Sequence, residues 1–456
     1  LIIISNNKSM NYQFYPILKS FKILKNSMAI LLRNPKHKPY FRFFQRLLKL
    51  SYFTFKFLKK YFLLSLAIIL ILFINFKPSW SQLVPHASEI RGVWLTNVDS
   101  DILYSPQALN SGLKRLKSIN INTLYPTVWQ GGYTLYPSSA TQQEFGILID
   151  PQLKNRDVLQ EIITQGHQQG FTIIPWFEFG FMAPAHSELV QKHPDWMTQR
   201  QDGSKIKQEG VEERVWLNPF HPEVQEFILN LITEIVKNYP IDGIQFDDHF
   251  GLPAEFGYDD YTVKLYQQEH NGQSPSQDFY ETYWVRWRAD KINQFMKRTF
   301  ETIKSIQPNC IISLSPNPLH FALPAYLQDW FTWERKGWIE ELVIQIYRSD
   351  LKRFITELDR SEVTLAKNHI PVAIGILSGL KNRSTSMNII KQQISEIRRR
   401  KFAGVSFFFY ESLWKWSETS EQDRQTQLYQ FFPTPVNRPK LVGYEDFKKI
   451  YTISLL

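Results

Sequence analysis

The segment Asp242-Gly-Ile-Gln-Phe-Asp-Asp-His249 ends a short apolar run with two adjacent acids and an imidazole. Side chains alternate across a strand, so Ile244 and Phe246 share one side, while Gln245 and Asp247 share the other. If the apolar pair packs against helices, Gln245 and Asp247 face a lumen. Asp247 then stands at the strand tip and Asp248 opens the following loop. A further acid sits in Pro175-Trp-Phe-Glu178, where Ile174, Trp176 and Glu178 share a side and Phe177 and Phe179 the other. Desolvation beside an indole disfavours a charged carboxylate, which suits a proton donor. The expected catalytic set is Asp247 as nucleophile or base, Asp248 next, Glu178 as acid, and Glu411 of Phe409-Tyr410-Glu411 in reserve. Trp129, Trp176, Tyr347 and Trp414 are expected as sugar platforms, because flat apolar ring faces stack on aromatics. Gln245, His249, Asn317 and Gln345 are expected as neutral or switchable hydrogen-bonding partners. Ser313, Ser315 and Asn317 share one strand side, as do Gln345 and Tyr347.

Several acids among aromatics and amides fit glycoside hydrolysis, which needs a proton donor for the leaving oxygen and a second carboxylate. Carboxyl groups about 5–5.5 Å apart imply retention and about 6.5–9.5 Å inversion. Metal-dependent hydrolysis is the rival. His186, His193, His221 and His249 are available, but the sequence contains no His-Glu-x-x-His and no His-x-His on its first strand. No metal and no cofactor is therefore expected. A serine nucleophile lacks its Gly-x-Ser-x-Gly turn. A barrel that binds wall glycans without cleaving them is the alternative from another class. Trp333-Glu334 is a weaker acid–aromatic pair, since the Trp serves equally well as core.

The elements that must position these residues alternate. Strands are expected at Ile90–Thr96, Asn122–Val128, Phe171–Phe177, Ile241–Asp247, Ile311–Ser315, Leu342–Tyr347, Pro371–Ile376 and Gly404–Phe409. Helices are expected at about 106–119, 156–169, 221–238, 279–306, 324–337, 351–367 and 385–401. Eight such repeats over residues 88–420 predict an α/β fold, a (β/α)8 TIM barrel, with residues 421–456 as a tail packed on it. A doubly wound sheet is the alternative, but no Gly-rich phosphate loop follows the first strand. The connections at roughly 178–219 and 248–278 are the longest and would elaborate the C-terminal face, where barrel active sites form.

The 456 residues include 53 Lys/Arg and 43 Asp/Glu, a net charge of +10. Residues 1–88 hold fourteen of the basic residues and no acid, so the remainder carries 39 basic against 43 acidic residues. The basicity thus belongs to a leader, and the rest gives no reason to expect nucleic-acid binding. Lys56, Lys59 and Lys60 precede the apolar run 61–76, and Ser79-Trp80-Ser81 gives a small-x-small pattern. This reads as a signal peptide cleaved near Ser81, or alternatively an uncleaved anchor, within a leader of residues 1–81. Positive-inside logic places the barrel outside the cytoplasmic membrane, touching it only through that segment. Met28 is a plausible start. Cys310 is the only cysteine, so there is no internal disulfide framework and no cysteine-rich metal site.

Arg91-Gly-Val-Trp-Leu-Thr96, Asn122-Thr-Leu-Tyr-Pro-Thr-Val128, Tyr133-Thr-Leu-Tyr-Pro-Ser138, Pro175-Trp-Phe-Glu178, Asp242–Asp248 and Gln345-Ile-Tyr347 occur in an order that resembles the glycoside-hydrolase-like 10 family over roughly residues 88–415. The resemblance implies a TIM barrel, export or lipid anchoring, and, in at least one branch, cleavage of peptidoglycan glycan strands stripped of their stem peptides. Other members commonly carry Asn-Pro near Glu178, so the resemblance supports that acid only within one branch. The fourth strand also resembles the chitinase Asp-Gly-x-Asp-x-Asp-x-Glu signature. Gln245 and His249 replace its second Asp and its Glu, which argues against chitinase-type chemistry through that Glu. The expected partner is a polysaccharide of the cell envelope; the sequence leaves the oligomeric state open.

Overall fold

The computed structural model describes residues 88–441. The leader, with its apolar run 61–76, and residues 442–456 lie outside the described residues. Eight strands alternate with helices: β1 (Ile90–Leu95), β2 (Thr123–Pro126), β3 in two halves (Thr172–Ile173 and Trp176–Phe177), β4 (Gly243–Asp247), β5 (Ile311–Ser315), β6 (Glu341–Gln345), β7 (Val372–Leu377) and β8 (Gly404–Phe408). All their pairings are parallel, in the order β2-β1-β8-β7-β6-β5-β4. The first half of β3 pairs with β2 and the second half with β4, so the strands close into a TIM barrel. Pro175, which has no N–H, sits at the split. Its carbonyl accepts from Gln245 N at 2.8 Å, and Ile174 N donates to Leu124 O at 3.0 Å, so the ring continues across the break.

Two apolar layers follow from strand alternation. Val93, Leu95, Leu124, Ile173, Phe177, Ile244, Phe246, Ile312, Leu314, Leu342 and Ile344 lie in the larger core, shared with the helices. Ile90, Trp94, Tyr125, Ile174, Trp176, Val343, Ala373 and Phe409 form a separate cluster that fills the lumen. Most of the longer helices are amphipathic, and several are capped by a polar side chain. In α1 (Pro106–Ser118), Ser105 accepts from Ala108 N; in α2 (Val158–Gln168), Asp157 accepts from Gln160 N. Next come α3 (Pro222–Asn238) and α4 (Asp260–Glu269), then α5 (Thr282–Ile306), capped by Glu281.

Two expected helices and one expected connection differ. The 324–337 helix is two, Leu319–Tyr326 and Trp330–Arg335, separated where Leu327 takes φ +54° and Asp329 caps the second. The 351–367 helix breaks at Asp359-Arg360 into Leu351–Leu358 and Ser361–Ala366. The long connection after β3 is not a simple loop. It holds a three-stranded antiparallel sheet of Met182–Pro184, Glu212–Trp216 and Lys207–Glu209, with Glu212–Trp216 in the centre.

At the N-terminal foot, residues 433–441 cross the barrel after helix Glu421–Phe431. Glu89 N donates to Asn437 O, Arg91 Nη1 to Thr434 O and Asn122 Nδ2 to Val436 O. Arg438 enters the lumen and pairs with buried Glu341, whose other oxygen accepts from Tyr125 and Ser313 at 3.0 Å each. Among the described residues no helix is long and apolar enough to cross a membrane.

Candidate active site

Three carboxyl groups meet at the opposite, C-terminal mouth. The β3–β4 ladder runs through Gln245↔Trp176 and Phe246↔Phe177, so Asp247 and Glu178 lie one step further on neighbouring strands, pointing inward. Asp248 follows at the start of the loop.

Glu178 Oε2 accepts from Thr127 Oγ1 at 3.0 Å and Thr96 Oγ1 at 3.2 Å. Burial pushes its pKa up to about 7, against the two hydroxyl bonds and the nearby His249 and Arg214 charges, which favour ionisation. Its backbone is held from two sides. His249 Nδ1 donates to Glu178 O at 2.9 Å, and Trp129 Nε1 donates to Gly180 O at 3.1 Å. Gly180 is required here. Its φ is +49°, and an added Cβ would lie 2.5 Å from His249 O, the carbonyl that Phe181 N bonds.

Asp247 and Asp248 divide one charge. Asp247 is almost fully buried, and desolvation together with the Asp248 charge raises its pKa well above the usual carboxylate range. Asp248 is lowered despite its own desolvation, because the His249 charge, the Asp247 hydroxyl and the Gln345 amide favour its anion. Asn317 Nδ2 donates to Asp248 Oδ2 at 2.6 Å. Gln345 Nε2 donates to Asp247 Oδ1 at 2.9 Å and reaches Asp248 Oδ1 at 3.4 Å. Asp248 N donates to Asp247 Oδ1 at 2.5 Å, and Gln328 Nε2 fixes the Asp247 carbonyl at 2.8 Å. These directions favour the proton on Asp247 and the charge on Asp248, the second of the two acids expected as nucleophile or base. Tyr347 is half-buried, and its phenol is pushed well up by burial and by the three acids around it. Trp176 Nε1 and Ser315 Oγ are buried without a protein partner.

Asp247, Asp248 and His249 offer ligand atoms within 4.8 Å of one another. Part of their capacity is used: Asp248 N and Gln345 Nε2 both donate to Asp247 Oδ1, Asn317 Nδ2 donates to Asp248 Oδ2, and His249 Nδ1 donates to Glu178 O. N–H donors aimed at both carboxylates suit a pair that shares one proton.

Other expected residues lie elsewhere. Glu411 is buried, accepts from Ser100 Oγ at 3.0 Å and pairs with Lys415 at 3.1 Å; these contacts brace two loops and include none of the mouth acids. Gln245 has no exposure, and both ends of its amide are taken, by Trp94 Nε1 at 2.7 Å and Ser313 Oγ at 2.9 Å, so it cannot reach a sugar. Trp129 has 0% exposure and packs edge-on to Phe227, leaving no face for stacking. Trp414 is covered by the Arg115 guanidinium, 3.8 Å from its ring, and lies against Tyr410. Trp176 is 2% exposed, packed on Trp94 and Phe408, and belongs to the lumen filling. Of the four expected platforms, Tyr347 alone keeps an accessible surface. Thr96, Thr127 and Gln328 went unnoticed in the sequence. The two threonines continue the inward parity of Trp94 and Tyr125, so alternation was the signal that marks them.

Comparison with known proteins gives the family and agrees with the fold. The family model described as "Glycosyl hydrolase-like 10" matches residues 89–395. "Glycosyl hydrolase DigH" of Escherichia coli (strain K12) is 28% identical over 241 residues, covering 50% of this chain and 51% of the relative. "Glycosyl hydrolase YngK" of Bacillus subtilis (strain 168) is 24% identical over 253 residues, covering 50% and 45%. The chain thus matches about half the length of these curated relatives. In fold it is similar to the PgaB (BpsB) glycoside hydrolase domain from Bordetella bronchiseptica, with TM-score 0.55, 14% identity, and coverage of 70% of this chain and 93% of that one. The beta-galactosidase from Bacillus circulans sp. alkalophilus gives TM-score 0.56 at 12% identity, with coverage of 76% and 56%. From the family match over most of the barrel, this chain belongs to the glycosyl hydrolase-like 10 family.

Proposed function

We propose that this chain is an exported glycoside hydrolase that cleaves a cell-envelope polysaccharide, with peptidoglycan glycan strands as the favoured substrate. One observation carries the reading: Glu178, Asp247 and Asp248 share the barrel mouth, each held by different hydrogen-bond donors. Glu178, poised at about 7, protonates the glycosidic oxygen as the bond breaks. Asp248, held as an anion by Asn317 and Gln345, supplies the charge that the oxocarbenium-like transition state needs, as nucleophile or as base for water. Asp247 stays protonated and keeps the pair at one negative charge. Tyr347 offers a phenol beside them. The names of the DigH and YngK relatives support glycan hydrolysis, and the basic–apolar–small leader supports export.

The test is to incubate the soluble barrel with purified glycan strands, with and without stem peptides, and follow new reducing ends by mass and by proton NMR. Cleavage is expected, and the anomer formed first distinguishes attack by Asp248 on carbon from activation of water. Binding without new reducing ends would instead establish a glycan-binding barrel. A reporter fused after residue 90 should be active only outside the cytoplasmic membrane; activity confined to the cytoplasm would overturn export.

A further inference from the structure

The connections that follow β7 and β8 face each other across a cavity of about 200 Å³ at the mouth rim. The first turns through a hairpin, Gly379–Leu380 with Arg383–Ser384, and opens helix Met387–Arg399. The second carries Trp416 and leads into helix Glu421–Phe431. Thr385, Ser386 and Asn388 line one wall, and Ser417, Glu418 and Thr419 the other. Hydroxyls, an amide and a carboxylate in so small a space suit a polyol, which needs donors and acceptors on several sides.

A buried charge fixes these walls. Arg424 is 1% exposed, and no carboxylate among the described residues pairs with it. Its five N–H groups go to Ser378 O at 3.1 Å, Thr385 O at 3.3 Å, Ser412 O at 3.1 Å, Leu413 O at 2.7 Å and Ser417 Oγ at 2.9 Å. Ser378 and Thr385 belong to the β7 connection, and the other three to the β8 connection. Burying an unpaired cation is costly, and here every donor is used to lock one loop against the other. Such bracing preorganises a binding site.

Trp416 joins the cavity to the acids. It takes φ +55°, the left-handed region that bulky side chains rarely adopt, and such strain gathers at ligand sites. The half-buried indole lies 5.8 Å from the Phe409 ring. Phe409 is 5.2 Å from Phe408, and Phe408 is 5.5 Å from Tyr347, the phenol beside Asp247 and Asp248. Tyr347, Phe408 and Trp416 each keep accessible surface, so a line of rings leads from the acids to the cavity. Flat apolar ring faces of a sugar chain stack on such a line.

We infer that the cavity, with Trp416 at its edge, is a distal subsite that takes an uncharged sugar unit of the same chain that is cut at the acids. Glu418 disfavours an anionic unit there. The inference rests on the proposed glycan hydrolysis and adds a requirement for length: a strand is gripped on the β6–β8 side of the mouth, and long strands are preferred to short ones.

The experiment uses the full chain and peptide-free bacterial wall glycan strands fractionated by length. Wild-type kcat/KM should rise at least tenfold from the shortest strands cleaved to the longest, mainly through KM. Trp416→Gly, which removes the ring and suits the positive φ, should flatten that rise. Glu418→Gln and Asn388→Ala, at exposed positions where substitution seldom disturbs folding, should flatten it less. They carry the comparison if melting temperatures show that Trp416→Gly fails to fold. A wild type indifferent to length, variants with the wild-type dependence, or equal losses on short and long strands would overturn the assignment. If no strand is cleaved, the hydrolase reading fails separately, and calorimetry on the same fractions decides. Affinity that grows with length, and stops growing in Trp416→Gly, supports the subsite; affinity independent of length, or no binding, defeats it.

Discussion

The lumen is polar at both ends, and the two ends are neutralised in opposite ways. At the foot, Glu341 is fully buried but meets Arg438, Tyr125 and Ser313, so both its oxygens are satisfied. At the mouth, Glu178 has only hydroxyl donors, Asp247 and Asp248 share one charge, and Arg214 stays beyond hydrogen-bond range of its ion partner. A saturated buried network specifies structure, whereas an unsaturated one holds perturbed protonation states ready for a substrate. The barrel therefore separates stability from chemistry along one axis.

That contrast can be broken at either end. The largest effect is expected from Asp248→Asn, which removes the one full charge of the pair: turnover should fall about 10³-fold, roughly 4 kcal/mol in activation free energy, with little change in melting temperature. A well-folded, fully active Asp248→Asn protein would end its catalytic assignment. At the foot, Arg438→Met should cost about 3–5 kcal/mol of stability, because it strands a buried carboxylate, and it should leave turnover per folded molecule near wild type. Denaturant melts should show most of that loss recovered by pairing it with Glu341→Gln; no recovery would mean that Arg438 acts by packing rather than charge.

Glu178→Gln sharpens the mouth. Activity on substrates with poor leaving groups should drop about 10²-fold, and the alkaline limb of the pH–rate profile, expected near pH 7, should vanish. Linkage gives an independent readout. The folded pKa is raised above the unfolded value, so the folded state holds this proton more tightly. Wild-type stability should then decline as pH rises from about 4.5 to about 7, by about 3 kcal/mol at most, and the Gln variant should lack that decline. Parallel stability–pH curves for the two proteins would refute it. The smallest effect belongs to Trp129→Phe, which removes the bond to Gly180 O: about 1 kcal/mol of stability, with KM unchanged. A raised KM at constant stability would restore Trp129 as a sugar platform.

Much of the barrel was legible because the alternation of Ile244, Phe246 and Asp247 carries both strand type and facing, and the structure puts the first two in the outer core. The same parity places Glu178 and Gln345 inward. The chemical division of labour was not legible. Whether Asp247 or Asp248 holds the charge depends on the adjacent His249 and on Asn317 and Gln345, which come from the loop after β5 and from β6. Tryptophans misled for a related reason: aromatic identity does not say whether a ring has a free face, and Trp129 and Trp414 are closed by Phe227 and by Arg115.

The strap at the foot gives the fold a dependence on chain order. Glu341 is made long before Arg438, and ribosomes emit residues in sequence. A nascent or prematurely terminated chain that ends between Phe408 and Arg438 holds eight complete strands around a carboxylate whose counter-charge does not yet exist. Such a product is penalised at its centre rather than at its ragged end, which marks it for unfolding and proteolysis. The stability of the barrel thus depends on a residue that the chain supplies only after its eighth strand is complete.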